Sequence, residues 1–480
     1  MRIIRGAVGC LALGLAAMGC GDSGQAREER SARHEGRLSG ETGSAPREFT
    51  WAGGKLFFTA EDSLHGRELW VSDGTGGGTR LVEDLVTGGH GYFPEKLTAA
   101  NGVLFFVLGN GSYTDSTLWR SDGTAGGTWP LHSASTAPSR NFAVKEFVSA
   151  GGTLFLSART ESFGDFEVWK SDGTPEGTVL VKDILPWDNA DIQLVDAVNG
   201  TLFFIANDGE GGRALWKSDG TAEGTVLLKR ISEYLDSPLY DKAAVGGLLY
   251  FITNGSDSST RALWKTDGTP EGTVHVTEVL SSPFSWSEDH FQLTAMGDAL
   301  FFASYTGDPG IELWKSDGTA EGTGMLTDIY PSGWSEPQGL RAANGVLYFT
   351  AWSHETGREM WKSDGTAEGT VRITDFPGDS LGPQCFMVGV DARRAYFGVF
   401  NLGSSQVQLW RTDGTAEGTV LLRSFPLGGV DAGLQGSSAF RGDTFFFHAD
   451  DGTGLQTWKT DGTPEGTVPL RDVTSGTTLR

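Results

Sequence analysis

Three things are scarce in this sequence: cysteine, positive charge, and apolar residues at helical spacing. Only 3 cysteines occur in 480 residues. If Cys10 leaves with an N-terminal signal and Cys20 takes a lipid, Cys385 stands alone and no intrachain disulfide can form. Stability must then come from packing, and Cys385 reads as a small buried hydrophobe. Lys and Arg number 37 against 61 Asp and Glu, a formal net charge of -24. Such a chain repels phosphate backbones, which argues against a nucleic-acid partner. The absence of long segments with a 3.6-residue apolar period excludes a helical fold. What is present instead is 70 Gly, 28 Phe and 15 Trp. Gly-rich turns between Phe, Trp, Val and Thr runs read as all-β.

The first residues read as targeting rather than structure. Arg2 and Arg5 precede an apolar run from Gly6 to Met18. That run has signal-peptide length and is too short to span a bilayer. It ends Ala17-Met18-Gly19-Cys20, which resembles the lipobox of bacterial lipoproteins and implies lipidation of Cys20. The expected organisation is a signal over 1–19, a disordered Arg-, Glu-, Ser- and Gly-rich tether over 20–46, and a folded body over 47–480. The chain is then exported and held on the outer membrane or cell surface by its lipid, as a monomer.

The body repeats. Trp70, Trp119, Trp169, Trp216, Trp264, Trp314, Trp361, Trp410 and Trp458 recur every 47 to 50 residues. Each opens a phrase such as Glu167-Val168-Trp169-Lys170-Ser171-Asp172-Gly173-Thr174-Pro175-Glu176-Gly177-Thr178. About 13 residues earlier stands an apolar triplet, such as Leu56-Phe57-Phe58 or Leu202-Phe203-Phe204. A Gly-Gly, Asn-Gly or Gly-Asp pair usually precedes it. These residues resemble the ELWxxDGT repeat family of secreted bacterial proteins over residues 47 to 480. The leading Glu is kept as Glu68, Glu167, Glu312 and Glu359 and replaced elsewhere, as by Thr117, Ala214, Ala262 and Gln408. The resemblance implies a repeat architecture and leaves the activity open.

One unit of about 48 residues reads as four short antiparallel strands, the signature of a β-propeller blade. Asn101-Gly102 is a two-residue hairpin signal between the first and second strands. A variable loop leads to the Trp strand, and the Asp-Gly-Thr turn leads to a fourth strand such as Thr178 to Lys182. The repeats begin near Phe49-Thr50-Trp51-Ala52 and end after a fourth strand near Arg471, so every unit is a whole blade. The expected fold is a β-propeller of about nine four-stranded blades, closed without strand exchange. The alternatives are eight blades with a decorating unit, or an open stack.

Two sets of residues invite a functional reading. Asp73, Asp122, Asp172, Asp219, Asp267, Asp317, Asp364, Asp413 and Asp461 are one residue type at one place. A site needs unlike groups that converge, so the ninefold Asp reads as a structural turn, similar to the Asp-box turns of sialidase-like propellers. Calcium is a possible ligand there, but one Asp with backbone carbonyls is a thin ligand set for an ion that takes 6–8 oxygens. No metal and no cofactor are therefore expected. His65, His90, His132, His275, His290, His354 and His448 share no register and no metal-ligand spacing. The second set lies in variable connections: Trp187 with Asp188, Trp286 with Glu288, Trp334 with Glu336, and Tyr92. Aromatics beside acids can stack on sugars or anchor a protein, so these are the candidate ligand-binding residues. They equally suit plugs between blades. The expectation is a non-enzymatic binding and adhesion scaffold with a glycan or protein partner at the variable-loop face. A hydrolase using loop-face acids and a structural envelope component are the alternatives.

Overall fold

A computed structural model describes the chain from residue 44 onward, except residues 88–90, 112–115, 132–141, 160–164, 187, 208, 234–238, 258, 281–290, 308–309, 378–382, 402–404, 427–437 and 472–480. The expected signal, Cys20 and nearly all of the tether lie outside the described residues. Ser44 is fully buried and its carbonyl accepts the Glu61 N–H at 2.7 Å, so the folded body reaches at least three residues before 47.

The all-β expectation is met. The described residues hold 36 strands, in five four-stranded and two eight-stranded sheets. Each eight-stranded sheet is two strand quartets joined by a single bridge, Leu280 to Tyr305 in one and Arg358 to Gln384 in the other. The chain therefore runs as nine antiparallel quartets, called units 1 to 9 here, of the kind propeller blades use. The first strands of the units are Arg47–Ala52, Phe93–Ala100, Ala143–Ala150, Gln193–Val198, Asp241–Val245, Thr294–Met296, Gln338–Ala343, Pro383–Val390 and Ala439–Arg441.

Local chemistry explains the quartet. Asn101 and Gly102 have φ of 50° and 72°, and Asn199 and Gly200 have 51° and 80°. Two successive positive φ values make the turn whose twist matches the hairpin, and Asn and Gly tolerate them. On the second strand, Phe106, Phe204, Phe251 and Phe302 pair in register with Trp119, Trp216, Trp264 and Trp314 on the third. Their ring centroids lie 6.0–6.3 Å apart. The fourth strand is the exposed edge: Leu180, Leu227, Met325 and Leu421 face solvent there.

The core sits between units. Nine apolar clusters each join two successive units. One of them joins the last unit to the first, with Ala439, Phe446 and Leu470 against Phe49, Phe58 and Trp70. Polar bonds follow the same course. Lys170 donates to the Gly220 carbonyl at 2.7 Å, Lys217 to Gly268 at 2.7 Å and Lys362 to Gly414 at 2.7 Å, each in the next unit's turn. Lys459 of unit 9 donates to the Gly74 carbonyl of unit 1 at 2.8 Å. Ala45 N–H adds a bond to the Leu455 carbonyl at 3.2 Å.

Candidate functional site

The nine Asp-Gly-Thr turns are identical in their bonding. In each, one Asp oxygen accepts the Thr backbone N–H at 2.8–2.9 Å and the Thr hydroxyl at 2.6–2.8 Å. The Thr hydroxyl in turn accepts the N–H of the Gly three residues on, as Gly177 to Thr174 at 2.9 Å. Asp172 is held below the usual carboxylate range by the Thr174 hydroxyl, and the other eight by their own threonines. The later Gly of the phrase is explained as well. A Cβ on Gly177 would lie 2.1 Å from the Asp172 carboxylate, and the other eight positions are alike. Among the described residues, no group of three His, Cys, Asp or Glu has the arrangement to hold a metal.

Of the candidate ligand-binding residues that are described, Asp188, Tyr92, and Trp334 with Glu336 stand in three different connections. Trp187, Trp286 and Glu288 lie outside the described residues. Asp188 is exposed and turns back on its own loop, where its carboxylate accepts the Asn189 N–H at 2.8 Å. Trp334 is half-buried over Gly310, where no side chain would fit. Glu336 pairs with Arg358 at 3.0 Å, and Tyr92 is half-buried. His65, read from sequence as a lone loop histidine, bonds Asp62 at 2.7 Å. One Gly-x-Ser-x-Gly pentapeptide, Gly378 to Gly382, also stands in the sequence. It lies outside the described residues, and the strand Pro383–Val390 follows it where a nucleophile elbow would lead into a helix.

Convergence occurs instead on the first strands, which neighbour one another in chain order, and the ninth also meets the first. The strand pairing aligns one position in each unit, two residues before the partner of the second-strand aromatic. In units 1 to 8 it holds Glu48, Lys96, Glu146, Leu194, Asp241, Gln292, Gly339 and Met387. Bulges mark it in units 1 to 4, 7 and 8, and Glu48, Lys96 and Gln292 have φ of 56°, 58° and 54°. Several of these side chains reach the next unit. Glu48 accepts the Leu97 N–H at 2.8 Å, Glu146 accepts Leu194 N–H at 2.6 Å and Asp241 accepts Leu293 N–H at 2.7 Å. Lys96 donates to the Val144 and Lys145 carbonyls at 3.1 and 2.8 Å.

Unit 4, with Leu194 at this position, is where neighbours converge. Lys145 from unit 3 reaches the Ile192 carbonyl at 3.2 Å, and Lys242 from unit 5 reaches back to the Val195 carbonyl. A cavity of about 430 Å³ opens there, lined by Lys96, Lys145, Glu146, Phe147, Leu194 and Lys242 among others. A second, of about 410 Å³, lies on units 6 to 8 and is uncharged, lined by Gln292, Gln338, Gly339, Thr350, Phe386 and Met387. Burial pushes the Glu146, Glu48, Glu95 and Asp241 carboxyls above the usual carboxylate range, and it pulls Lys96 below the usual lysine range. Lys96 feels the charges of Glu95, Glu146 and Glu48 together.

A second family of acids, buried except for the half-buried Glu167, serves the connections. Glu68 accepts Leu85 and Val86 N–H at 3.2 and 3.1 Å, and Glu167 accepts Ile184 N–H at 3.0 Å. Glu312 accepts Ile329 N–H at 3.0 Å, and Glu359 accepts Phe376 N–H at 2.8 Å. Burial drives Glu68 and Glu167 up to about 7 and Glu312 to about 6. Cys385 is buried near Glu359, and burial pushes its thiol up.

No family model and no curated protein matches the chain. Solved structures do. A prolyl endopeptidase structure is 12% identical at a TM-score of 0.43, covering 79% of this chain and 59% of its own. A puromycin hydrolase is 15% identical at 0.39, covering 77% and 59%. Prolyl oligopeptidase B from Galerina marginata is 10% identical at 0.40, covering 77% and 55%. This chain thus spans less than two thirds of each. All three are described as enzymes, so the expected binding and adhesion scaffold without catalysis finds no counterpart among these neighbours. In this chain Glu146 and Lys96, both shifted by burial, line one cavity together with Lys145 and Lys242.

Proposed function

We propose that the nine units close into a nine-bladed propeller, and that the axial cavity on units 2 to 5 is the working site of a hydrolase. Closure is supported by the apolar cluster and the Lys459 bond between the last unit and the first. The observation that carries the catalytic reading is the loss of symmetry at one register position. Eight units offer Glu, Lys, Glu, Leu, Asp, Gln, Gly and Met where the turns offer nine copies of Asp. A scaffold position needs one answer repeated; a reaction needs different groups at one place.

The chemistry this set supports is general acid and base catalysis. A carboxyl whose proton affinity is raised by burial can donate a proton to a leaving group, and a lysine with a lowered proton affinity can take one. Glu146 is the proposed acid, and Lys96, between Glu48, Glu95 and Glu146, is the group that balances the charge. The cavity volume suits a small ligand or one residue of a chain. The test is hydrolysis of a panel of glycan and peptide substrates by the purified protein and by E146Q and K96M. The expected loss in the variants is about 100-fold or more, with melting little changed. A wild type that cleaves nothing, or an E146Q that cleaves as well, refutes the reading.

Export accompanies this proposal. The family resemblance to ELWxxDGT proteins and the lipobox-like Ala17-Met18-Gly19-Cys20 support a surface lipoprotein. Fatty-acid labelling that is lost in C20A is the expected result.

A further inference from the structure

We infer that the cavity around Lys96, Lys145 and Lys242 binds the carboxylate of a monoanionic substrate, which names the substrate class of the hydrolase proposed above and rests on that reading. The charge of the lining is the first argument. Three lysines and one glutamate line the cavity, a formal +2 from three positive and one negative side chains. The whole chain carries -24. Asp191 and Asp196 stand beside two of these lysines, so the cavity concentrates cations among acids rather than forming a bare positive patch. Long-range repulsion of an anion is damped beyond about 10 Å in salt, whereas lysines at contact distance are not. A single carboxylate therefore gains from the cavity.

The second argument is geometric. Lys145 and Lys242 come from units on either side of unit 4 and converge on its first strand, at the Ile192 and Val195 carbonyls. Their ion pairs are long, 3.7 Å to Asp191 and 3.8 Å to Asp196. Asp191 is engaged more closely by Arg213, at 2.7 Å. An ammonium has three donors, so both lysines keep capacity for an incoming oxygen. Leu194 and Phe147 supply an apolar wall beside them. Glu146 stands on the same lining, and Asp191 and Asp196 stand beside the two lysines, so a dianion such as phosphate meets more repulsion than a monoanion does.

The experiment is calorimetric titration of the full chain, without turnover, in two matched pairs: glucuronate against glucose, and N-acetylglycine against N-acetylglycinamide. Inorganic phosphate is the comparator. The charged member of at least one pair should bind at least 10-fold tighter than its neutral partner, and tighter than phosphate. Which pair responds separates a sugar source from a peptide source. K145Q/K242Q should weaken that binding at least 10-fold, K145R/K242R should retain it, and K229Q, whose lysine braces the unit 5 turn at Thr273, should bind like wild type. Equal binding of charged and neutral members, tighter binding of phosphate, no anion binding by folded wild type, or wild-type affinity in K145Q/K242Q each overturns the inference. Because turnover is not read, carboxylate binding without hydrolysis would leave this inference standing and remove the hydrolase. Hydrolysis of neutral substrates by K145Q/K242Q would do the reverse.

Discussion

Replacing Glu68 with Gln should stabilise the protein above neutral pH, although it removes a carboxylate that accepts two hydrogen bonds. Glu68 is 1% exposed, and burial raises its carboxyl to about 7. The sign follows from linkage. The folded-state value lies above the unfolded one, so this group's stabilising contribution is full below about pH 4.5 and is lost as pH rises through about 7. At pH 8.5 the wild type must bury an ionised carboxylate. The shift from 4.5 to about 7 corresponds to roughly 3 kcal/mol, an upper figure for so buried a group. A glutamine oxygen can accept the same Leu85 and Val86 N–H groups without that charge. Gln408 and Gln456 already stand two residues before Trp410 and Trp458, so the position accommodates Gln. At about 2.1 cal/mol/K of unfolding entropy per residue, a chain of this size shifts by about 1 °C per kcal/mol, so the expected gain is about 2–3 °C. Thermal melts by circular dichroism at pH 5 and pH 8.5 test this. Wild type should melt higher at pH 5, E68Q should match it there, and E68Q should exceed it at pH 8.5. An E68Q that is less stable than wild type at pH 8.5 refutes the reasoning.

Three further outcomes follow. G177A should cost about 2 kcal/mol by displacing the Asp172 carboxylate from its two Thr174 bonds, read by chemical denaturation, whereas G126A, where a Cβ meets nothing within 4 Å, should cost far less. Hydrogen exchange should protect the second strands of units 1 and 9 as well as that of unit 5, because the end units share a core and the Lys459 bond; ends that exchange much faster than the middle would indicate an open stack. Cys385 should resist thiol reagents in the native protein at pH 8 and react on unfolding, and fast native labelling would contradict its burial.

The strand quartet and its turns were legible in sequence because their causes are local. Asn101-Gly102 needs only its own backbone to make a hairpin turn. Asp172, Thr174 and Gly177 satisfy one another within six residues, and the same phrase recurs nine times. The axial cavity was not legible, because it exists only once strands pair. Glu48, Lys96, Glu146 and Asp241 share no motif, and bulges offset the register that aligns them. A signal was nonetheless there: each of the eight residues at that position precedes its repeat Trp by 22 or 23 residues. Reading that column would have shown an unrepeated set inside a repeated frame. The loop-face expectation followed variability to the connections, whereas the perturbed groups that converge stand on strands. Trp334 illustrates the difference, since its aromatic surface covers Gly310 and Glu336 beside it is tied to Arg358.

The central claim is that function sits where the nine units differ. The most direct measurement compares two sets of single substitutions in one hydrolysis assay on the same substrate. E146Q and K96M form the axial set; D172N, D267N and D364N alter the turn acids. The account predicts that the axial set lowers turnover by about 100-fold while the turn set changes stability and leaves turnover per folded molecule intact. Equal activity in the axial set, or loss confined to the turn set, would contradict it.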